Sequence, residues 1–186
     1  HSFPTRRSSD LVEFSRSRFL AMPIAGTIAW AIVGVAGFFL KPTPASLVLF
    51  VATGSIFYLA LFVARFTGED LLGRKNRSNP FNKMFLLTVV MATLVYAIAI
   101  PFYLVDHTSL PLTVGILNGL MWVPFSGLLR HWIGLFHGIT RTVLIVAAWY
   151  LFPAHRFVVI PAIIVAIYTV TLVVLERRYR AVLAIT

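Results

Sequence analysis

Residues 157–175 read FVVIPAIIVAIYTVTLVVL, a run without a charged side chain, and Glu176-Arg177-Arg178-Tyr179-Arg180 follows at once. As a helix with 1.5 Å of rise per residue, the run is about 28 Å long, close to the thickness of a bilayer's hydrocarbon core. A soluble helix would carry polar side chains down one face. This run offers only Tyr168, Thr169 and Thr171. Working outward, the same pattern recurs over residues 19–40, 46–66, 81–104, 111–129 and 132–152. The expected fold is therefore an all-α polytopic membrane protein, a six-transmembrane-helix bundle forming one domain over residues 12–186.

Composition agrees. Mean hydropathy is +0.90, 59% of residues are hydrophobic and only 12% are charged, against about a quarter in soluble domains. The polar residues gather between the apolar runs. A net charge of +10 would suit nucleic acid, but the cations flank apolar spans, where anionic lipid headgroups account for them. The expected partner is thus the bilayer with anionic headgroups, and no nucleic acid. The absence of cysteine excludes disulfides, thiolate metal sites and thiol catalysis.

Residues 1–11, HSFPTRRSSDL, resemble the frame translation of a widely used sequencing adapter and are read as non-native. A natural basic leader is the competing reading. On the adapter reading the native N-terminus is missing, and Arg6 and Arg7 carry no topological information.

The connections set the orientation. Lys41-Pro42-Thr43-Pro44 is read as a short turn, since two prolines stop a helix. The longest loop, residues 67–83, follows the second span, and Asn79-Pro80 reads as an N-cap with proline at the first helical position. Residues 106–109 and 153–156 are tight turns. Arg16, Arg18, Arg65, Arg74, Lys75, Arg77, Lys83, Arg130, Arg141, Arg177, Arg178 and Arg180 then fall on one side, against Lys41 and Arg156 on the other. The Lys/Arg excess marks the cytoplasmic face, so both termini are expected inside a cytoplasmic membrane. The two halves of the chain show no convincing similarity that would indicate an inverted repeat.

Arg141 is the residue to single out. Counted back from Pro153, it falls near the middle of its span, where a cation costs roughly 2.5 kcal/mol or more. His137 lies one turn below on the same face, and Gly134 and Gly138 would admit a close neighbour. No span contains Asp or Glu, so Arg141 would look to Asn118, Tyr96 or the Leu120 carbonyl freed by Pro124. The functional reading is a cavity where Arg141, His137 and Asn118 receive an anionic small molecule or lipid headgroup. The structural reading has Arg141 satisfied by carbonyls or snorkelling to the interface. In the fourth span Gly115, Asn118, Gly119, Trp122 and Ser126 share one face, and Gly115–Gly119 matches G-x-x-x-G, read as a packing face within the chain. Pro124 should kink that helix.

Other chemistries fare poorly. His107, His131, His137 and His155 divide between the two sides without a carboxylate at ligand spacing, so no metal site and no cofactor is expected. Ser126 has no histidine in the last span to take its proton, so a serine protease is excluded. An enzyme is not expected. The competing function is a small transporter or channel, oligomeric because six short helices leave little room for a pore.

The chain resembles an uncharacterised family of small bacterial six-helix integral membrane proteins. The resemblance is carried by Ala25-Gly26-Thr27-Ile28-Ala29-Trp30 with Gly34, Gly54-Ser55-Ile56-Phe57, Asn79-Pro80-Phe81 and Pro124-Phe125. It implies a fold and no catalytic residues.

Overall fold

The computed structural model describes residue 14 and residues 17–72 and 80–184. It is all-helical, with no strand among the described residues. The helices are α1 (Ala21–Phe39), α2 (Pro42–Gly54), α3 (Ile56–Thr67), α4 (Pro80–Leu94), α5 (Tyr96–Val105), α6 (Leu110–Leu120), α7 (Trp122–Leu129), α8 (Ile133–Leu151) and α9 (Arg156–Leu183). Five of the continuous runs are long and apolar enough to cross a membrane, and α2 with α3 makes a sixth if that bent pair is one span.

Small residues on α1 explain the centre of the bundle. Ala21, Ala25, Gly26, Ala29 and Trp30 are buried along one stripe, and α9 packs against it over most of its length. A Cβ at Gly37 would lie 2.2 Å from the Phe157 carbonyl oxygen, so only glycine lets the two backbones meet there. On its other sides α9 packs against α8 and α6, while α8 also meets α6 and α7. The α4–α5 run is the most peripheral of the long apolar runs, with 22% of its apolar window buried.

Proline and small polar residues decide where the runs bend. Gly54-Ser55 separates α2 from α3 at an angle of 48°, and the Ser55 hydroxyl donates to the Ala52 carbonyl at 3.0 Å. Such Gly/Ser pairs loosen the helical ladder. Met121 interrupts the fourth run between α6 and α7. Pro124, three residues on, has no N–H for the Leu120 carbonyl, and its ring crowds that oxygen. Val95 similarly separates α4 from α5.

Two expectations need adjustment. Pro42 and Pro44 do not form a turn but stand in the first turn of α2, where a missing N–H is harmless and φ is already helical. The helix that carries the last apolar run continues through Glu176 to Leu183. Pro80 begins α4 as expected, whereas Asn79 and residues 1–11 lie outside the described residues.

Side-chain contacts tie each end of the bundle. At one end Glu69 Oε1 accepts the Leu20 and Ala21 N–H groups at 2.9 and 3.0 Å, capping α1 from a distant loop. Glu176 there pairs with Arg18 at 3.0 Å and Arg180 at 2.9 Å. At the opposite end the Arg156 guanidinium lies 3.3 Å from the Trp149 ring centroid, donates to Thr108 Oγ1 at 2.7 Å and faces Asp106 at 3.8 Å.

Candidate ligand-binding site

Two neighbouring groups of polar side chains lie inside the bundle, Arg141, His137, Tyr168 and Thr171 in one and Thr53, Tyr96 and Asn118 in the other. The first is built on α8. Arg141 is wholly buried. Its Nε donates to the Gly115 carbonyl at 2.7 Å, and one terminal nitrogen donates to Tyr168 Oη at 3.3 Å and meets His137 Nε2 at 3.4 Å. The guanidinium carbon lies 5.4 Å from the Trp30 ring centroid and 5.5 Å from that of Tyr168, within the range of cation–π attraction. The second terminal nitrogen and Trp30 Nε1 are both buried without a protein acceptor.

The hydrogen-bond chain beyond Arg141 fixes the state of His137. Thr171 Oγ1 donates its single proton to the Ile167 carbonyl at 2.8 Å. Its oxygen therefore accepts from His137 Nδ1–H, 2.8 Å away. Nε2 is then left with a lone pair toward the arginine, and the imidazole is neutral. Trp122 stacks on that ring at 4.3 Å and 19°. The cation is thus held by a carbonyl, a hydroxyl, a neutral ring and two aromatic faces.

Glycines make this possible. A Cβ at Gly119 would lie 2.8 Å from Arg141 Cδ, so its absence lets the arginine stem pass α6 to reach Gly115. At Gly26 a Cβ would come within 2.5 Å of the Tyr168 ring. A Cβ at Gly134 would lie 2.5 Å from the Trp122 carbonyl oxygen, at Gly138 3.0 Å from Val123 Cγ2, and at Gly115 3.0 Å from Ile145 Cδ1. The small-residue faces of α6 and α8 therefore turn toward each other within one chain.

The second group lines a cavity of about 110 Å³. Its walls come from the interruption in each of three runs: Thr53, Gly54 and Ile56 of the second, Thr93 and Tyr96 of the third, and Asn118, Met121 and Trp122 of the fourth. Thr53 Oγ1 donates to the Leu49 carbonyl at 2.7 Å, so at 2.6 Å the Tyr96 hydroxyl is the donor to Thr53. Asn118 stands beside Tyr96 on the same cavity wall. Asn118 Oδ1 is buried with no protein donor.

Arg141 and His137 thus come together as their spacing suggests, whereas Asn118 stands on the cavity side of a wall made by Trp122 and Tyr168. Neither Asn118, Tyr96 nor the Leu120 carbonyl serves Arg141. The stem follows the groove left by Gly119 instead, which ends at the Gly115 carbonyl. Sequence reasoning missed Trp30, Thr53, Tyr168 and Thr171. For the last two a signal existed: a tyrosine and a threonine three residues apart, on one face of an otherwise apolar run.

Toward Glu69 a separate small cavity of about 10 Å³, lined by Phe19, Phe85, Phe125 and Leu71, shares the wall residues Met22, Met121 and Trp122 with the main cavity. Glu69 lines it and also borders a surface cleft with Arg65 and Asp70. Burial raises the Glu69 carboxyl above its usual range, although the two backbone N–H groups and Arg18 oppose the shift.

An all-helical bundle with apolar, span-length helices and a buried arginine–histidine pair defines the class of this protein. The chain belongs to a family of unknown function, DUF7010, whose model matches residues 10–178. No curated protein and no solved structure matches it.

Proposed function

We propose that this is a bacterial six-span protein of the cytoplasmic membrane, with both termini inside, that binds a small molecule in the cavity between its second, third and fourth runs. The carrying observation is the coincidence of that cavity with the interruptions of three apolar helices. Irregular backbone at membrane depth is tolerated where it is buried or lines a cavity, and ligand sites of polytopic proteins gather at such breaks. Asn118 is the contact residue in this reading. Arg141 and His137 are positioning residues, because the arginine is sealed behind Trp122 and Tyr168. The surface cations Arg65, Lys83, Arg130, Arg177 and Arg180 support contact with anionic headgroups on the inner face.

Gly54 provides the test. A Cβ there has free space, with only Tyr96 Oη at 4.0 Å, so Gly54→Leu fills the cavity without disturbing the helices. Protein excised from membranes in polymer discs would be extracted with organic solvent and the released small molecules identified by mass spectrometry. A compound recovered in stoichiometric amount from the wild type and lost from the thermally intact Gly54→Leu protein is the expected result. Identical extracts would overturn the reading.

A second reading, a small transporter, draws on the small second cavity that lies between the main one and Glu69. Uptake of the recovered compound into reconstituted vesicles, abolished by Gly54→Leu, would favour it over simple binding. As a pore it would need several copies of the chain.

A further inference from the structure

From the groove between the start of α1 and the end of α9 we infer a phospholipid site: one anionic lipid, its phosphodiester among Arg18, Arg177 and Arg180 and an acyl chain along Ile24, Leu172 and Val173. This deepens the headgroup contact proposed above and rests on the membrane reading, not on the cavity. The groove measures about 560 Å³ and all six residues line it, within the roughly 300–1,000 Å³ of small-molecule clefts. Its polarity changes along the bundle axis. Arg18 stands just ahead of α1, and its Nε–H donates at 3.0 Å to Glu176 Oε2, the first charged residue after the run that ends at Leu175. The cations of both helices therefore stand at one height, where the apolar runs stop. Ile24, Leu172 and Val173 lie on the apolar side of that level. A phospholipid has the same order, an anion at the interface and hydrocarbon beneath it.

Charge sets the sign of the headgroup. Glu176 is the one carboxylate lining the groove, against three arginines. Its two oxygens are divided between Arg18 at 3.0 Å and Arg180 at 2.9 Å, and Arg177 forms no ion pair among the described residues. Arg177 and Arg180 are exposed, and a guanidinium that gives one N–H to a carboxylate keeps others for a phosphate oxygen. The clefts beside Arg65 and Arg156 lack this excess. Arg65 shares its cleft with Glu69 and Asp70, and Arg156 is engaged by Asp106, Thr108 and Trp149.

Phosphatidylglycerol and phosphatidylcholine with identical chains provide the test, since both carry a phosphodiester and only the first is a net anion. Native mass spectrometry of the full chain, released from micelles holding equal amounts of the two lipids, counts which one stays bound. One phosphatidylglycerol should be retained, preferred about fivefold or more. Arg177→Gln with Arg180→Gln should bring the ratio near one, and Arg177→Gln alone, which breaks no ion pair, should lower it. Arg65→Gln with Lys83→Gln removes the same charge from exposed positions outside the groove and should leave the ratio as in the wild type. Equal retention of both lipids by the wild type, or equal loss in the two double variants, would overturn the site while the chain remains a membrane protein. So would displacement of the lipid by an equal concentration of glycerophosphoglycerol, which has the headgroup without chains and would make this a site for a soluble phosphate. Extraction of the chain from membranes by alkaline carbonate would remove the membrane reading itself.

Discussion

Arg141 shows how a buried cation is held without a carboxylate. Its Nε and terminal nitrogen point to different partners, Gly115 and Tyr168, which a planar fork can serve together and a single ammonium cannot. Arg141→Lys is therefore expected to lose nearly as much stability as Arg141→Ala, about 2–4 kcal/mol, measured by thermal unfolding in nanodiscs. Wild-type stability in the lysine variant would show that charge alone suffices. The relay beyond it predicts a smaller effect. Thr171→Val removes the acceptor of His137 Nδ1–H and should cost about 1–3 kcal/mol, whereas Thr142→Val, whose hydroxyl bonds only its own helix at Gly138, should be nearly silent in the same assay.

Between elements, steric fit and capping dominate. Gly134→Ala would place a Cβ 2.5 Å from the Trp122 carbonyl oxygen, so α8 must move away from α7, at a cost of about 1–3 kcal/mol or more. At Gly127 a Cβ meets nothing within 4 Å, and Gly127→Ala should gain about 0.5–1 kcal/mol from helix propensity. Opposite shifts in melting temperature for the two alanines are the expected result. The cap on α1 carries a pH dependence. Glu69 is shifted upward by burial, so the folded state holds its proton more tightly than the unfolded chain does. Its contribution is fully present below the ordinary carboxylate range and is lost as pH rises through the raised value. Asp106 acts in the opposite sense at lower pH: despite slight burial, the two Thr108 bonds and Arg156 hold it down. Glu69→Gln keeps an acceptor for the Leu20 and Ala21 N–H groups while removing the titration. Its melting temperature should fall less than the wild type's as pH climbs above the carboxylate range. Parallel curves would refute the assignment.

At the scale of the molecule, the charge asymmetry predicts orientation. The chain contains no cysteine, so single-cysteine variants report cleanly. Lys41→Cys and Ala154→Cys should react with an impermeant maleimide added to intact cells, whereas Arg65→Cys and Arg177→Cys should react only after the membrane is opened. The reverse pattern would invert the topology. The run most exposed to its surroundings is α4–α5, and the cavity sits where it leans on the second run through Phe50, Tyr96 and Tyr103. That junction is slender, which suits a site that opens sideways.

The apolar runs were legible because span length and hydropathy are local properties, and the positions of Arg141 and His137 one turn apart follow from helical period alone. The bend at Gly54-Ser55 and the placement of Pro42 and Pro44 inside a helix escaped, since both depend on how backbone groups find partners rather than on composition. Gly119 and Gly134 announced close packing without naming the neighbour. Only the tertiary structure decided that Trp30, Tyr168 and Thr171 surround the arginine and that Asn118 instead lines the cavity with Tyr96 and Thr53. The physical reason is that a single chain's pattern sets which faces must be buried, whereas which helices meet, and at what rotation, is settled by steric fit among segments far apart in sequence.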